Sequence, residues 1–291
     1  MEAWQNAGGA NIGLNRAKDK INKCGEELFA WGSTKTQPET EEIKKLQKKI
    51  EDLSMEDATD GNSASMLEAS KKLDDLLLKQ EIYWAQRSRI SWLKHGDKNT
   101  KYFHSKASQW RRRNMIQGVK DQHNNWVEEI EDIAGVAIEY FENMFKSGAC
   151  DRLDESLDVV QHKMTTNMQE ILSREYSANE IKTALFQMGS TKAPRPDGIN
   201  ALFNQKFWHI VSDDVVTAVL DFLESSNLNS DINYTHIVLI PKVKSLEKMS
   251  DYRPISLCNV IYKIISKVMA NRLKQILPQL ISHTQIAFVP G

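Results

Sequence analysis

A chain of 291 residues with 41% hydrophobic and 26% charged side chains is long enough for about two domains and apolar enough for a sizeable core. Whole-chain disorder and a fibrous fold are excluded. The 38 Lys plus Arg nearly balance 39 Asp plus Glu, a net charge of −1, so overall charge implies neither a nucleic-acid nor a membrane partner and any electrostatic argument is local.

Residues 1–40 have weak periodicity and contain Gly8–Gly9, Gly32–Ser33 and Pro38. They read as a poorly structured segment, with a short helix around Ile21 to Phe29. The first fifteen residues lack a basic stretch followed by an apolar core, so no secretory signal is expected. Without a run of eighteen apolar residues, no membrane partner is expected either. Cys24, Cys150 and Cys258 stand far apart. Their spacing suits neither metal ligation nor a disulfide framework, and an intracellular, non-secreted setting follows, nucleus and cytoplasm both open.

Residues 41–147 read as a helical and basic linker with a small hairpin. Ile43, Leu46, Ile50 and Leu53 recur at steps of three and four, the stripe of an amphipathic helix. Gly61–Asn62–Ser63 is expected to interrupt it. Leu67, Leu73, Leu76, Leu77, Ile82 and Trp84 then mark a second long helix. Two packed helices and a dimeric coiled coil both suit this pattern. In 86–113, Arg87, Arg89, Lys94, Lys98, Lys101, Lys106, Arg111, Arg112 and Arg113 face Asp97 as the only acid. Trp92, Tyr102, Phe103 and Trp110 interleave with them. Cations between aromatic rings suit phosphate contact with stacking on bases; a solvated helix face around core aromatics is the alternative. Met115 to Lys120 and Trp126–Val127 read as hairpin arms, with Asn124 or Asn125 left-handed at the turn.

Residues 148–176 form an acidic connector. Ser177 with Glu180 three places on is a capping box, and Gly189 ends that helix. Gly189 to Asn200, GSTKAPRPDGIN, is a rigid loop. Ala201 to His209 forms the next helix, and Ser212 caps a third. Asp213–Asp214 then belongs to a first turn, where acids complement the dipole; a metal site is the weaker alternative. Ile237 to Ile240 reads as a strand that Pro241 stops, Tyr252 to Leu257 as a second extended segment, and Val260 to Leu277 as a strong helix.

Three stretches carry a resemblance: 83–116, from YWAQRSRISWLKHGDKNTKYF onward; KAPRPDGI at 192–199; and 237–291, from IVLIPKVKSLEKMSDYRPISL to AFVPG. Together they resemble the reverse transcriptase of plant non-LTR (LINE-type) retrotransposons. The family loop reads KAPGPDG, and Arg195 here takes the place of its central Gly. The resemblance implies an α+β fold, mainly α-helical: long linker helices, then a partial fingers domain over 177–291 with a small antiparallel β element and an incomplete palm. It implies dNTP-phosphate contact by Lys242 and Arg253. Lys192, Asp197 and Gly198 belong to the fingers loop, with Asp197 ordering its backbone. Gln285, Phe288 and Gly291 lie close to template and primer. The partners implied are RNA template, DNA primer and dNTP. The aspartates that hold metal in this family lie beyond FVPG. No catalytic or metal residue is therefore expected in this chain, nor activity from the chain alone. Mg2+ is implied only for the complete polymerase. The rival reading is a non-enzymatic helical scaffold that binds nucleic acid or protein.

Overall fold

The computed structural model describes residues 2–7, 9, 11–35, 38–55, 60–88, 100–148, 164–190, 192, 197–228 and 230–281. They are mainly helical, with two small antiparallel strand pairs. The helices are α1 (Glu2–Asn6), α2 (Gly13–Lys35), α3 (Pro38–Met55), α4 (Asp60–Ser88), α5 (Thr100–Asn114), α6 (Ile130–Phe145), α7 (Thr166–Ser173), α8 (Ala178–Phe186), α9 (Ala201–Lys206), α10 (Trp208–Ser225), α11 (Ser230–Asn233) and α12 (Val260–Leu280). Strands β1 (Val119–Lys120) and β2 (Trp126–Val127) pair, as do β3 (His236–Pro241) and β4 (Tyr252–Leu257). None of the described helices is long and apolar enough to cross a membrane.

The chain divides into two compact units. The first comprises Met1–Glu27, Lys120–Leu239 and Arg253–Gly291; the second comprises Leu28–Val119 and Ile240–Tyr252. Each unit joins segments that are distant in sequence.

In the first unit, α8 buries Ile181, Ala184 and Leu185, and α10 buries Val211, Val215, Ala218 and Val219. Ile261, Ile264, Ile265 and Val268 of α12 complete the same core. These spacings of three and four put each apolar stripe on one helix face. The expectation of a poorly structured N-terminal segment is corrected here. Trp4, Leu14, Ala17, Ile21 and Cys24 are buried in this core. Polar groups far along the chain fix them. Asp221 Oδ2 accepts from the Leu14 N–H at 3.1 Å and so caps α2 from α10. Asp214 accepts from Trp4 Nε1 at 2.9 Å and pairs with Arg16 at 3.2 Å and Lys20 at 2.7 Å. Lys18 pairs with Asp231. Gly25 allows a close backbone approach: a Cβ there would stand 2.3 Å from the Asp197 carbonyl oxygen.

Asp213–Asp214 also needs correction. Ser212 does not start a helix. Phe207 alone separates α9 from α10, which already begins at Trp208. The apolar stripe continuing back to Val211 sets that start. Asp214 is consequently an anchor for the N-terminal helices rather than a first-turn acid.

In the second unit α4 packs against α3 and against α5, and Ile43, Ala69, Leu76, Phe103, Val119, Met249 and Tyr252 are buried. Pro38 occupies the first helical position of α3, where its missing N–H costs nothing. Lys72 of α4 meets Glu42 of α3 at 2.7 Å, which holds the Glu42 carboxyl below its ordinary pKa by hydrogen bonding. Gly61, Asn62 and Ser63 do not form the expected break but lie in the opening turn of α4. A helix start is where such residues cost least.

Candidate nucleic-acid interface

Of the basic run, Arg87 lies in the last turn of α4, and Lys101, Lys106, Arg111, Arg112 and Arg113 lie on α5. Arg111, Arg112 and Arg113 fill the last turn of α5 and are all exposed. Cations there complement the negative end of the helix dipole, weakly because water screens them, and exposure leaves their guanidinium donors to solvent. Lys101 is exposed and Lys106 half-buried on the same helix. Phe103 turns inward and is buried, and the Trp84 and His104 rings meet at 4.2 Å. One side of α5 thus anchors it to α4 while its cations remain outside. Arg89, Lys94 and Lys98 lie outside the described residues, as do Gln285, Phe288 and Gly291.

Sequence reading missed a pairing of cations with aromatic rings. Arg87 lies 3.6 Å from the centroid of Tyr83, Lys106 5.7 Å from Tyr102, and Arg113 5.7 Å from Trp110. Tyr83 is 38% exposed and Trp110 45%. Their i, i+3 and i, i+4 spacing is the available signal, since such residues neighbour one another on a helix. A cation beside an exposed ring offers phosphate and base a contact each.

In the turn between the strands, the Lys242 N–H donates to the Asp251 carbonyl at 2.8 Å. Its Nζ donates to the Ser250 carbonyl at 2.7 Å. Asp251 Oδ2 accepts from the Glu247 and Lys248 N–H groups, both at 3.0 Å, and these bonds hold its carboxyl below the ordinary range. The turn is thereby closed on itself, and among the described residues the Lys242 ammonium engages one of its three donors. Lys242 belongs to the second unit and exposed Arg253, on β4, to the first.

In the first unit's loop, Asp197 Oδ1 accepts from the Ile199 N–H at 2.9 Å, and Gly198 takes φ +71°. The carboxylate orders the backbone, and the left-handed residue is the one without a Cβ. Lys192 is exposed; Pro194, Arg195 and Pro196 lie outside the described residues.

A different charged residue is the most constrained. Arg272 of α12 is 1% exposed. Its Nε and Nη2 donate to Glu180 at 2.9 and 3.1 Å. Its Nη groups also donate to the Leu172 carbonyl at 3.2 Å, the Glu175 carbonyl at 2.7 Å and the Arg174 carbonyl. All five guanidinium donors are matched, and the plane lies 3.6 Å from the Tyr176 ring centroid. Glu180 meanwhile completes the capping box, accepting from the Ser177 N–H at 3.0 Å. The Arg272 hydrogen bond is the main cause lowering its pKa to about 2. Arg272 is a structural clamp inside the first unit.

Among the described residues no cluster of three or more His, Cys, Asp or Glu side chains is arranged to hold a metal ion.

The sequence profile of the family "Reverse transcriptase (RNA-dependent DNA polymerase)" matches residues 240–291. The chain is also similar to the "Transposon TX1 uncharacterized 149 kDa protein" of Xenopus laevis, 27% identical over 210 residues. The alignment covers 70% of this chain and 16% of that protein. These findings correct the expectation of the N-terminal linker-and-fingers portion of a plant element. The family match falls near the C-terminal end, and the matched relative is an animal transposon protein. The relationship supported is that of the family: this chain is related to retroelement polymerases.

Proposed function

We propose that the chain contributes nucleic-acid contacts to a retroelement polymerase. The exposed cations and rings at the end of α4 and on α5 hold the backbone of RNA template or DNA primer, and their bases stack on Tyr83 and Trp110. Lys242 and Arg253, both within the segment similar to reverse transcriptases, contact dNTP phosphate. Lysine does so as a point charge and arginine through paired donors. On sequence grounds the reading extends to Arg89, Lys94 and Lys98 for backbone contact, and to Gln285, Phe288 and Gly291 beside template and primer.

The observation that carries this reading is the set of ring–cation pairs on the second unit, at 3.6 to 5.7 Å. Folding of the unit does not consume them: Arg87, Arg113 and both rings stay open to solvent. Ultraviolet cross-linking of the full chain to oligothymidylate, with mass-spectrometric mapping, tests it. Cross-links concentrated at Tyr83, Tyr102 and Trp110 are expected. Cross-links absent from 83–114 would overturn the assignment. For the nucleotide, Arg253→Ala in the complete polymerase is expected to lower kcat/KM for dNTP by roughly 10- to 1,000-fold with template affinity unchanged. An unaltered dNTP dependence would remove Arg253 from that role.

A further inference from the structure

A second cationic feature lies in the first unit, away from the aromatic pairs. A cleft of about 260 Å³ is lined by Gln187, Lys192, Asn200, Lys263 and Lys267, with Val260 among its apolar walls. Three lysines line it, and no described lining residue is a carboxylate. Lys263 and Lys267 stand one helical turn apart on α12, so their ammonium groups share one side. Val260 is the first residue of α12, and the positive end of a long helix adds to the field there. Lys192 and half-buried Lys267 have no ion-pair partner among the described residues. The Asn200 carbonyl oxygen is engaged, accepting from the Phe203 N–H at 3.2 Å; its amide NH₂ is the end that donates. The polar rim therefore presents donors.

We infer that this cleft seats one phosphodiester of a single-stranded nucleic acid, held between Lys192 and Lys267. The inference rests on the nucleic-acid reading above and places a second contact on the other unit. Size decides between the two phosphate sources. Pockets that enclose a whole small molecule run to about 300–1,000 Å³. A cleft below that range suits a phosphate on a passing strand better than a complete nucleoside triphosphate. Lysine ammonium groups act on phosphate as point charges and read no base, so binding through the cleft is indifferent to sequence.

Lysine acylation footprinting on the full-length chain tests this, with oligothymidylate and dTTP as separate probes. Lys192 and Lys267 are expected to be protected several-fold by saturating oligothymidylate and left reactive by dTTP. Lys44, exposed on α3, serves as the reference. The double variant K192Q/K267Q should bind oligothymidylate roughly 10-fold more weakly. Its slope of log K against log salt should be shallower by about 1.4. Unchanged acylation with oligothymidylate bound would overturn the inference, as would unchanged affinity and slope. Equal protection by dTTP would overturn the choice of a strand phosphate. Footprinting uses the unaltered chain, so a folding defect in the variant cannot mimic the result. A parallel arm with R111A/R112A/R113A separates the two interfaces. Weaker binding there, with Lys192 and Lys267 unprotected in the unaltered chain, leaves the α5 reading standing and ends the cleft. Protection of the two lysines with normal binding by the α5 variant does the reverse.

Discussion

The two units place their most prominent cations in opposite ways. The first takes charge inside: Arg272 is buried with every donor matched, and Lys20 is buried against Asp214. The second also buries one acid, Glu81, but keeps the cations of its basic run outside, with Arg111, Arg112 and Arg113 exposed and Arg87 lying on an exposed ring. A buried ion pair recovers its desolvation cost only when its remaining hydrogen-bonding capacity is met. Arg272 meets that condition and so specifies one arrangement of α7, α8 and α12. An exposed cation stabilises a fold by little but keeps its donors available. The difference teaches that charge count says nothing here about role; the number of donors already used does.

The largest effect expected is from Arg272→Ala, which leaves Glu180 and three carbonyls without their donor. A loss of about 3–5 kcal/mol from the first unit is expected, read by hydrogen exchange resolved to peptides of each unit. Loss confined to the second unit would break the comparison. Arg272→Lys should recover only part, because lysine lacks the planar fork.

The Glu180 carboxyl adds a pH arm. Its folded pKa is depressed from 4.5 to about 2, so its stabilisation is fully present above about pH 4.5 and is lost as pH falls through about 2. Up to about 3 kcal/mol is at stake. Arg272→Ala should remove most of this pH dependence, measured by urea unfolding of both chains across that window.

Core truncation sharpens the contrast. Ile264→Ala, at a fully buried site of the first unit, should cost nearer ~5 kcal/mol, and Ile43→Ala, in the second unit, nearer ~2. Equal costs would deny that the cores differ in packing.

Much of the local structure was legible and much of the long-range structure was not. The capping box at Ser177, the left-handed Asn124 (φ 66°), β3 stopped at Pro241 and the strong helix from Val260 all follow from neighbours within four residues. The place of residues 2–27 does not. Trp4 meets Asp214, 210 positions away, and Leu14 meets Asp221, 207 positions away. No periodicity announces such partners. Arg272 was legible only as a charge on α12, because its acceptors lie 92 to 100 residues earlier. On the candidate interface, composition marked the basic run, and spacing alone could have paired Tyr83 with Arg87.

Gly25 offers a smaller test with an unusual sign. In an ordinary helix Gly→Ala is stabilising by roughly 0.5–1 kcal/mol. Here the new methyl would meet the Asp197 carbonyl at 2.3 Å, a backbone atom that cannot swing aside. Destabilisation of about 1–3 kcal/mol is expected by thermal unfolding.

The central claim is that the exposed cations of α5 hold nucleic-acid backbone while the buried ones hold the fold. Titrating oligothymidylate into the full chain and into R111A/R112A/R113A across a salt series tests both halves at once. Three phosphate contacts on a single strand predict a slope of log K against log salt shallower by about 2 in the variant, with unfolding stability changed little. Equal affinity and equal slope in the two chains would contradict the account.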